Sequence, residues 1–129
     1  PLAAMVPLLD RLQRSADSAS QAPELETVRV AGQTWYGAVV RIGSHACVSQ
    51  RAFLCTGNHD FREPDFAFQG GPIAVGDGAW IGATVFVAPG IDIGDEAVIS
   101  AGSVVLKNLP SGKICSGNPA EVRGDRWKE

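Results

Sequence analysis

The residue types best suited to chemistry are concentrated in one short stretch, Cys55-Thr56-Gly57-Asn58-His59-Asp60. An imidazole can accept a proton near neutral pH, which makes His59 a candidate general base for activating a hydroxyl group. Carboxylates follow at Asp60, Glu63 and Asp65. Each of them could orient the imidazole, since spacing alone does not choose among them. The sequence thus predicts acid–base chemistry centred on His59.

Cys55 lies shortly before His59 and offers a second chemistry, because a thiolate beside an imidazole could carry an acyl group covalently. A catalytic zinc site needs about three protein ligands, and the only other histidine, His45, lies well before this stretch. We therefore predict no metal, and we expect His45 to face outward without a chemical role. The three cysteines, an odd number without metal-type spacing, predict free thiols in a reducing compartment, the cytoplasm.

The elements that would position His59 are indicated by a hexapeptide period. Branched aliphatic residues recur at this spacing at Val75, Ile81, Val87, Ile93, Ile99 and Val105. A small residue follows all but the last of them, which favours tight turns at those points. Three hexads can close a triangular coil, and neighbouring coils stack about 4.8 Å apart. The pattern predicts an all-β fold, a parallel β-helix, because an antiparallel sandwich would alternate with period two without this register of small residues.

An interruption separates this block from an earlier one. Aliphatic residues at the same spacing occur at Ile42, Val48 and Leu54, and Tyr36 and Val30 extend the phase backwards. The separation from Leu54 to Val75 is not a whole number of hexads, so the two blocks are out of register. We predict an inserted, structureless loop at 57–72 that contains His59, and long loops of this kind are often functional.

The ends of the repeat suggest the domain boundaries. Residues 1–27 contain no hexads, and a proline before apolar residues predicts a short helix near 7–12. A flexible linker rich in serine and alanine follows. We place the β-helix domain at 28–123 and a C-terminal tail at 124–129.

Composition limits the partners. The formal net charge of −3 gives no electrostatic case for binding nucleic acid. No apolar run approaches the roughly 20 residues that span a bilayer, and the apolar N-terminal stretch lacks a preceding basic segment. We expect neither a membrane span nor a secretory signal. The segment 107–129 is locally positive, because its basic residues outnumber its acidic ones.

Three motifs together resemble the hexapeptide-repeat acyltransferases. They are Cys55-Thr56-Gly57-Asn58-His59-Asp60, Asp77-Gly78-Ala79-Trp80-Ile81-Gly82-Ala83 and Ser116-Gly117-Asn118-Pro119-Ala120. The first two are most similar to the colanic acid biosynthesis acetyltransferases, relatives of the galactoside and maltose O-acetyltransferases. The resemblance implies a left-handed β-helix that uses acetyl-CoA as co-substrate. It also implies His59 as general base, direct transfer without a cysteine intermediate, and a sugar hydroxyl as acceptor, in exopolysaccharide biosynthesis.

The resemblance also implies roles for individual residues. The residues expected to bind acetyl-CoA are Trp80, Ala83, Ala101, Gly102, Lys107 and Arg123. Asn58 and Asp60 are expected to bind the acceptor substrate. The match weakens near Arg123, because Glu121 occupies a position that is often basic in the relatives, and Arg126 and Lys128 are alternative partners for the CoA phosphates.

The family resemblance and the narrow width of one column both lead us to expect a homotrimer. The family builds its sites between subunits, and a narrow column cannot by itself enclose acetyl-CoA. Val39, Trp80 and Phe86 are expected to face outward and to contact a neighbouring subunit. Two other functions stay open: a non-catalytic assembly scaffold on the same fold, and transfer to another small alcohol or amine. A zinc enzyme of the γ-carbonic anhydrase type, which shares such a column, would need three histidines.

Overall fold

The described part of the chain consists mainly of short β-strands joined by turns. The structure, a computed structural model, describes Asp10 and residues 26–30 and 33–127. In chain order its strands are β1 (Glu26–Val30), β2 (Gln33–Gly37), β3 (Val40–Ile42), β4 (Cys47–Val48), β5 (Phe53–Leu54), β6 (Gly57–His59), β7 (Phe68–Gly70), β8 (Ile73–Val75), β9 (Trp80–Ile81), β10 (Phe86–Val87), β11 (Asp92–Ile93), β12 (Val98–Ile99), β13 (Val104–Val105), β14 (Lys113–Gly117) and β15 (Ala120–Asp125). The predicted helix near 7–12 and the linker after it lie outside the described residues, except for Asp10, which is helical. Among the described residues, no helix has the length and apolar character needed to cross a membrane.

Three parallel sheets form the three walls of a column. The first wall contains β3, β8 and β11, the second contains β4, β9, β12 and β14, and the third contains β5, β10 and β13. Paired residues in the regular coils are three hexads apart in sequence, as in Val75 with Ile93 and Ile81 with Ile99. Three hexads therefore make one turn of a parallel β-helix, as the repeat predicts.

The aliphatic ladder forms the core inside these walls. Its members, each at most 5% exposed, are Ile73, Val75, Ala79, Ile81, Val85, Val87, Ile91, Ile93, Ala97, Ile99, Val105, Leu109, Cys115 and Ala120. Ile42 and Val48 pair in register with Val75 and Ile81. They nevertheless remain 48% and 40% exposed, because they belong to the first coil, which has a described neighbouring coil on one side only. The early block thus continues the ladder but forms its uncovered end.

The small residues after the buried aliphatics have a different cause from the one predicted. The left-handed backbone conformation occurs two positions later, as at Gly78 (φ 64°) and Thr84 (φ 56°). Gly82 instead lies against the next coil, where a Cβ would be 2.6 Å from the carbonyl oxygen of Ile99. The small residue is required by the close approach of stacked backbones rather than by the turn.

Two hairpins flank the ladder where the sequence suggested other structures. β1 pairs antiparallel with β2, so the assignment of Val30 and Tyr36 to hexads was wrong. An antiparallel strand alternates with period two, which a period of six contains. At the other end, β15 pairs antiparallel with β14 and extends to Asp125, slightly beyond the predicted end of the domain.

The segment 57–72, predicted to be structureless, contains a third hairpin. β6 pairs antiparallel with β7, with His59 opposite Phe68. The hairpin leaves the column where the third wall meets the first wall of the next coil. Ile42 and Val75 are paired in the first wall although they lie further apart in sequence than the partners in the regular coils. The insertion therefore lengthens this coil without changing its register.

Candidate active site

His59 lies at the end of β6 and is held by the far side of its own hairpin. Its Nδ1 lies 2.9 Å from the backbone carbonyl oxygen of Phe66. A carbonyl only accepts hydrogen bonds, so Nδ1 carries the proton of the neutral ring and donates it. Nε2 then has a free lone pair, and the side chain is exposed. This is the arrangement that a general base requires.

The group that orients His59 is therefore a backbone carbonyl rather than one of the three carboxylates considered from the sequence. Asp60 instead stabilises the hairpin: Oδ1 accepts a hydrogen bond from the backbone N–H of Arg62 at 3.0 Å, and Oδ2 accepts one from the Gln69 amide at 2.9 Å. The Asn58 side-chain oxygen likewise accepts the backbone N–H of His59 at 2.8 Å. Both expected acceptor-binding residues lie beside His59, with these oxygens used within the hairpin.

Two phenylalanine rings surround the imidazole. The Phe66 ring stacks on it at a centroid distance of 4.6 Å with the planes 9° apart, and Phe68 contacts it nearly at right angles at 5.5 Å. On its other side, Phe68 stacks on Tyr36 of β2 at 4.2 Å. The N-terminal hairpin thus supports the hairpin that carries His59. The sequence analysis assigned no role to the phenylalanines of this segment.

A groove runs along the second wall toward the corner between the second and third walls. Trp80, Ala83 and Ala101 line it together with Ser49, Gln50 and Ser100, and its volume is about 430 Å³. Trp80 projects from the column as predicted, with 49% of it exposed. Gly102 lies at the same corner, in the left-handed conformation (φ 73°), and its N–H donates to the Ala83 carbonyl at 2.9 Å. The structure thus places four of the six predicted acetyl-CoA residues together.

The basic residues after the groove are largely paired. Lys107 binds both carboxylate oxygens of Glu121, at 2.8 and 2.9 Å. Arg123 donates to the carbonyl and hydroxyl oxygens of Ser116 at 3.2 to 3.3 Å. Lys113 pairs with Asp125 across the last hairpin. Within the described part of the chain, the acids of the locally positive segment thus pair with two of its basic residues, Lys107 and Lys113.

Arg126, the alternative partner for the CoA phosphates, is committed elsewhere. It donates to the carbonyl oxygens of Gly78 and Glu96 at 2.7 and 3.2 Å and pairs with the Glu96 carboxylate at 3.1 Å. These residues lie at the corner between the first and second walls. Arg126 therefore fastens the end of the chain to the column, and Lys128 lies outside the described residues.

The candidate base and the groove do not meet within one chain. The hairpin with His59 leaves the column at the corner between the third and first walls, whereas Ala83 and Ala101 lie at the corner between the second and third. The third wall, built from β5, β10 and β13, separates these two corners. A single column therefore presents the two halves of the expected site on different edges.

Comparison with known proteins agrees with this architecture. The family profile "Hexapeptide repeat of succinyl-transferase" matches residues 72–107. The putative colanic acid biosynthesis acetyltransferase WcaF of Escherichia coli (strain K12) is 45% identical over 87 residues, covering 67% of this chain and 48% of that protein. The chain belongs to the hexapeptide-repeat acetyltransferase family. It spans about half the length of the WcaF proteins that it matches.

Solved structures of hexapeptide-repeat acetyltransferases share the fold. A galactoside acetyltransferase in complex with coenzyme A is 30% identical, with a TM-score of 0.65 over 69% of this chain and 46% of that one. A maltose O-acetyltransferase from Clostridium difficile 630 is 26% identical, with a TM-score of 0.60 over 69% and 60% of the two chains. The resemblance read from the motifs is confirmed at the level of the family.

Two of the three thiols have structural environments that do not suggest a nucleophile in this member of the hexapeptide-repeat family. The Cys55 thiol donates to the carbonyl oxygen of Gly57 at 3.0 Å. Cys115 is buried, and this burial, together with the charge of Glu121, raises the pKa of its thiol, although Lys107 opposes the rise. Among the described residues, no three His, Cys, Asp or Glu side chains are grouped closely enough to hold a metal ion.

Proposed function

We propose that this chain forms the β-helix of an acetyl-CoA-dependent O-acetyltransferase that acetylates a hydroxyl of a sugar or glycan precursor. The observation that carries the proposal is the 2.9 Å contact between His59 Nδ1 and the Phe66 carbonyl oxygen, which in the neutral ring leaves the lone pair of Nε2 free on an exposed side chain. Nε2 accepts the proton of the acceptor hydroxyl while the oxygen attacks the thioester carbonyl carbon of acetyl-CoA. The carbon–sulfur bond then breaks, CoA leaves as its thiolate, and the acetyl ester remains on the acceptor.

The class of substrate is supported by the relatives. WcaF of Escherichia coli is named for colanic acid biosynthesis, and the galactoside acetyltransferase was solved with coenzyme A bound. We extend the acetyl donor and a sugar-type acceptor to this chain, with a role in exopolysaccharide biosynthesis. The free cysteines fit a reducing compartment, so we place the reaction in the cytoplasm.

The active site would be completed by a second copy of the chain. His59 and the groove at Trp80 lie on different edges of one column, so an edge with His59 must meet the groove edge of a neighbour. Exposed aromatic side chains lie on the walls next to these edges. Phe53, which is 60% exposed, lies on the third wall, and Trp80 lies on the second. A closed ring of three identical, left-handed columns would repeat this contact three times. We therefore propose a homotrimer with acetyl-CoA in each groove.

Lys107 and Arg123 would then receive the phosphates of CoA. Both side chains are exposed, and Lys107 would exchange its bond with Glu121 for one with a phosphate. An exposed pair of this kind contributes only about 0 to 1 kcal/mol, so the exchange costs little.

The function is tested by a panel of sugar and glycan acceptors, with the release of free CoA as the readout. His59→Asn should lower turnover by about 10²- to 10⁴-fold, the usual contribution of a general base. His45→Asn is the matched control, because His45 is exposed and has a left-handed backbone (φ 58°) that asparagine tolerates. Near-full turnover in His59→Asn would remove this residue from the mechanism. Absence of acetyl-CoA binding by calorimetry would reject the enzyme altogether.

A further inference from the structure

Phe66 combines three features that all act on His59. Its carbonyl oxygen accepts the Nδ1 hydrogen bond, its ring stacks on the imidazole, and its backbone has the left-handed conformation, with φ 51°. A bulky residue rarely adopts this conformation, because its Cβ crowds the following carbonyl. Such outliers occur where the surrounding structure holds them, and often at functional positions.

The hairpin tip shows how this conformation is imposed. The N–H of Phe66 donates to the carbonyl of Glu63 at 2.9 Å, which closes a turn with Pro64 and Asp65 at its centre. Proline suits the first central position of such a turn, because its ring fixes φ in the range that this position needs. A residue that follows a turn of this kind in a hairpin loop commonly enters the left-handed region. Phe66 occupies that place in the turn.

We infer that Phe66 is a positioning residue for His59, whose backbone selects the tautomer of the imidazole and whose ring fixes its rotation. Rotation of the imidazole would move Nε2 away from the acceptor hydroxyl, and reversal of the tautomer would place the proton on Nε2. Either change disables the base without altering the acetyl-CoA groove, which lies at another corner of the column. The inference rests on the proposed function, in which His59 is the base.

The two contributions can be separated by substitution at this one position. Glycine readily adopts a positive φ, so Phe66→Gly keeps the carbonyl in place and removes the ring. A β-branched residue is a strong outlier there, so Phe66→Val should turn the carbonyl away from Nδ1. Phe61→Leu is the control, since Phe61 belongs to the same hairpin and is 74% exposed, with its ring under the Arg62 guanidinium.

The tautomer is measured by ¹⁵N NMR of the histidine ring at about pH 8.5, where an ordinary imidazole is neutral. A His45→Asn background leaves His59 as the single histidine. We expect Phe66→Gly to keep the proton on Nδ1 and Phe66→Val to shift it toward Nε2, whereas Phe61→Leu matches the parent. In both Phe66 variants kcat should fall by about 10- to 100-fold, the effect of a misplaced catalytic group, with an unchanged KM for acetyl-CoA.

The outcomes distinguish this inference from the proposed function. If both Phe66 variants keep the parental tautomer and the parental kcat, Phe66 does not position His59. If the parent protein acetylates no acceptor, the proposed function fails, while the tautomers of the glycine and valine variants still decide the positioning role. A fall in the affinity for acetyl-CoA in Phe66→Gly would also overturn the inference, because the ring would then act on the cofactor.

Discussion

Trp80 donates its indole N–H to the hydroxyl oxygen of Ser49, 2.9 Å away, and so joins two successive coils along the wall of the groove. Half of the tryptophan is exposed, and this bond fixes the orientation of its polar edge. An aromatic ring with a fixed polar edge suits a ligand that has both an apolar chain and amide groups. The pantetheine arm of CoA has this character.

Trp80→Ala should raise the KM for acetyl-CoA by about tenfold, since removing one aromatic contact costs about 0.5 to 1.5 kcal/mol beyond its buried area. Ser49→Ala should have a smaller effect, because it frees the ring without removing it. Trp127, which is 64% exposed and packs under Arg126, provides the matched control. Steady-state kinetics at saturating acceptor measures the change. Equal KM values for Trp80→Ala and Trp127→Ala would contradict a cofactor role for the groove.

Arg123→Ala should raise the KM for acetyl-CoA while kcat changes little, because a phosphate far from the thioester is bound equally in the ground and transition states. Glu121→Gln should act in the opposite direction, since it releases Lys107 from its bond. A charge-assisted contact contributes about 1.5 to 3 kcal/mol, which is roughly a ten- to hundredfold change in affinity. Added salt should weaken the parent more than Arg123→Ala. An unchanged KM in both variants at low salt would exclude this phosphate site.

Arg126→Ala should lower the free energy of unfolding by about 1 to 3 kcal/mol, because the guanidinium donates to two backbone carbonyls and pairs with Glu96. Lys113→Ala, which removes a more exposed pair with Asp125, should cost less than about 1 kcal/mol. Urea denaturation at one fixed protein concentration compares the two. If the two variants are equally stable, Arg126 does not fasten the end of the chain.

Cys115 should make the fold less stable in alkali. Its pKa is raised by burial and by the Glu121 carboxylate, so the unfolded chain loses this proton at a lower pH than the folded chain does. Its contribution is complete below the unfolded pKa and is lost as the pH rises through the folded pKa. From about pH 8 to 10, the free energy of unfolding should therefore fall more steeply for the parent than for Cys115→Ala. Parallel slopes would show that another group controls the alkaline limit.

The column could be predicted from the sequence because each coil repeats the same local sequence pattern. Every sixth residue from Val75 to Val105 is a branched aliphatic, and each stacks on its equivalent in the neighbouring coil. The hairpin at β1 could not be separated from this pattern, since Val30 and Tyr36 satisfy the hexapeptide spacing by alternation alone. The periodic pattern also gave no measure of exposure at Ile42, which depends on having a neighbouring coil.

The candidate site was predictable in its residue types and less so in its contacts. His59 stood out because an imidazole follows Thr56-Gly57-Asn58 in an inserted segment. The partner on Nδ1 could not be found by searching for a carboxylate, because any backbone carbonyl can take that role. Pro64 and Asp65 were a usable signal, since they predict a turn that brings Phe66 back toward β6. Likewise, the bond between Lys107 and Glu121 joins residues that are distant in sequence and that local pattern does not connect.

The insertion at 57–72 has a consequence for engineering the chain. The coils before and after it stay in register, with Ile42 on Val75 and Leu54 on Val87, so the column accepts extra residues at this corner without rearrangement. Within a wall, by contrast, adding or removing residues would take aliphatic side chains out of register with those of the neighbouring coils. Loops of other lengths could therefore be exchanged at the edge between the third and first walls. Under the proposed function, this corner is the place to alter acceptor choice while the rest of the column is preserved.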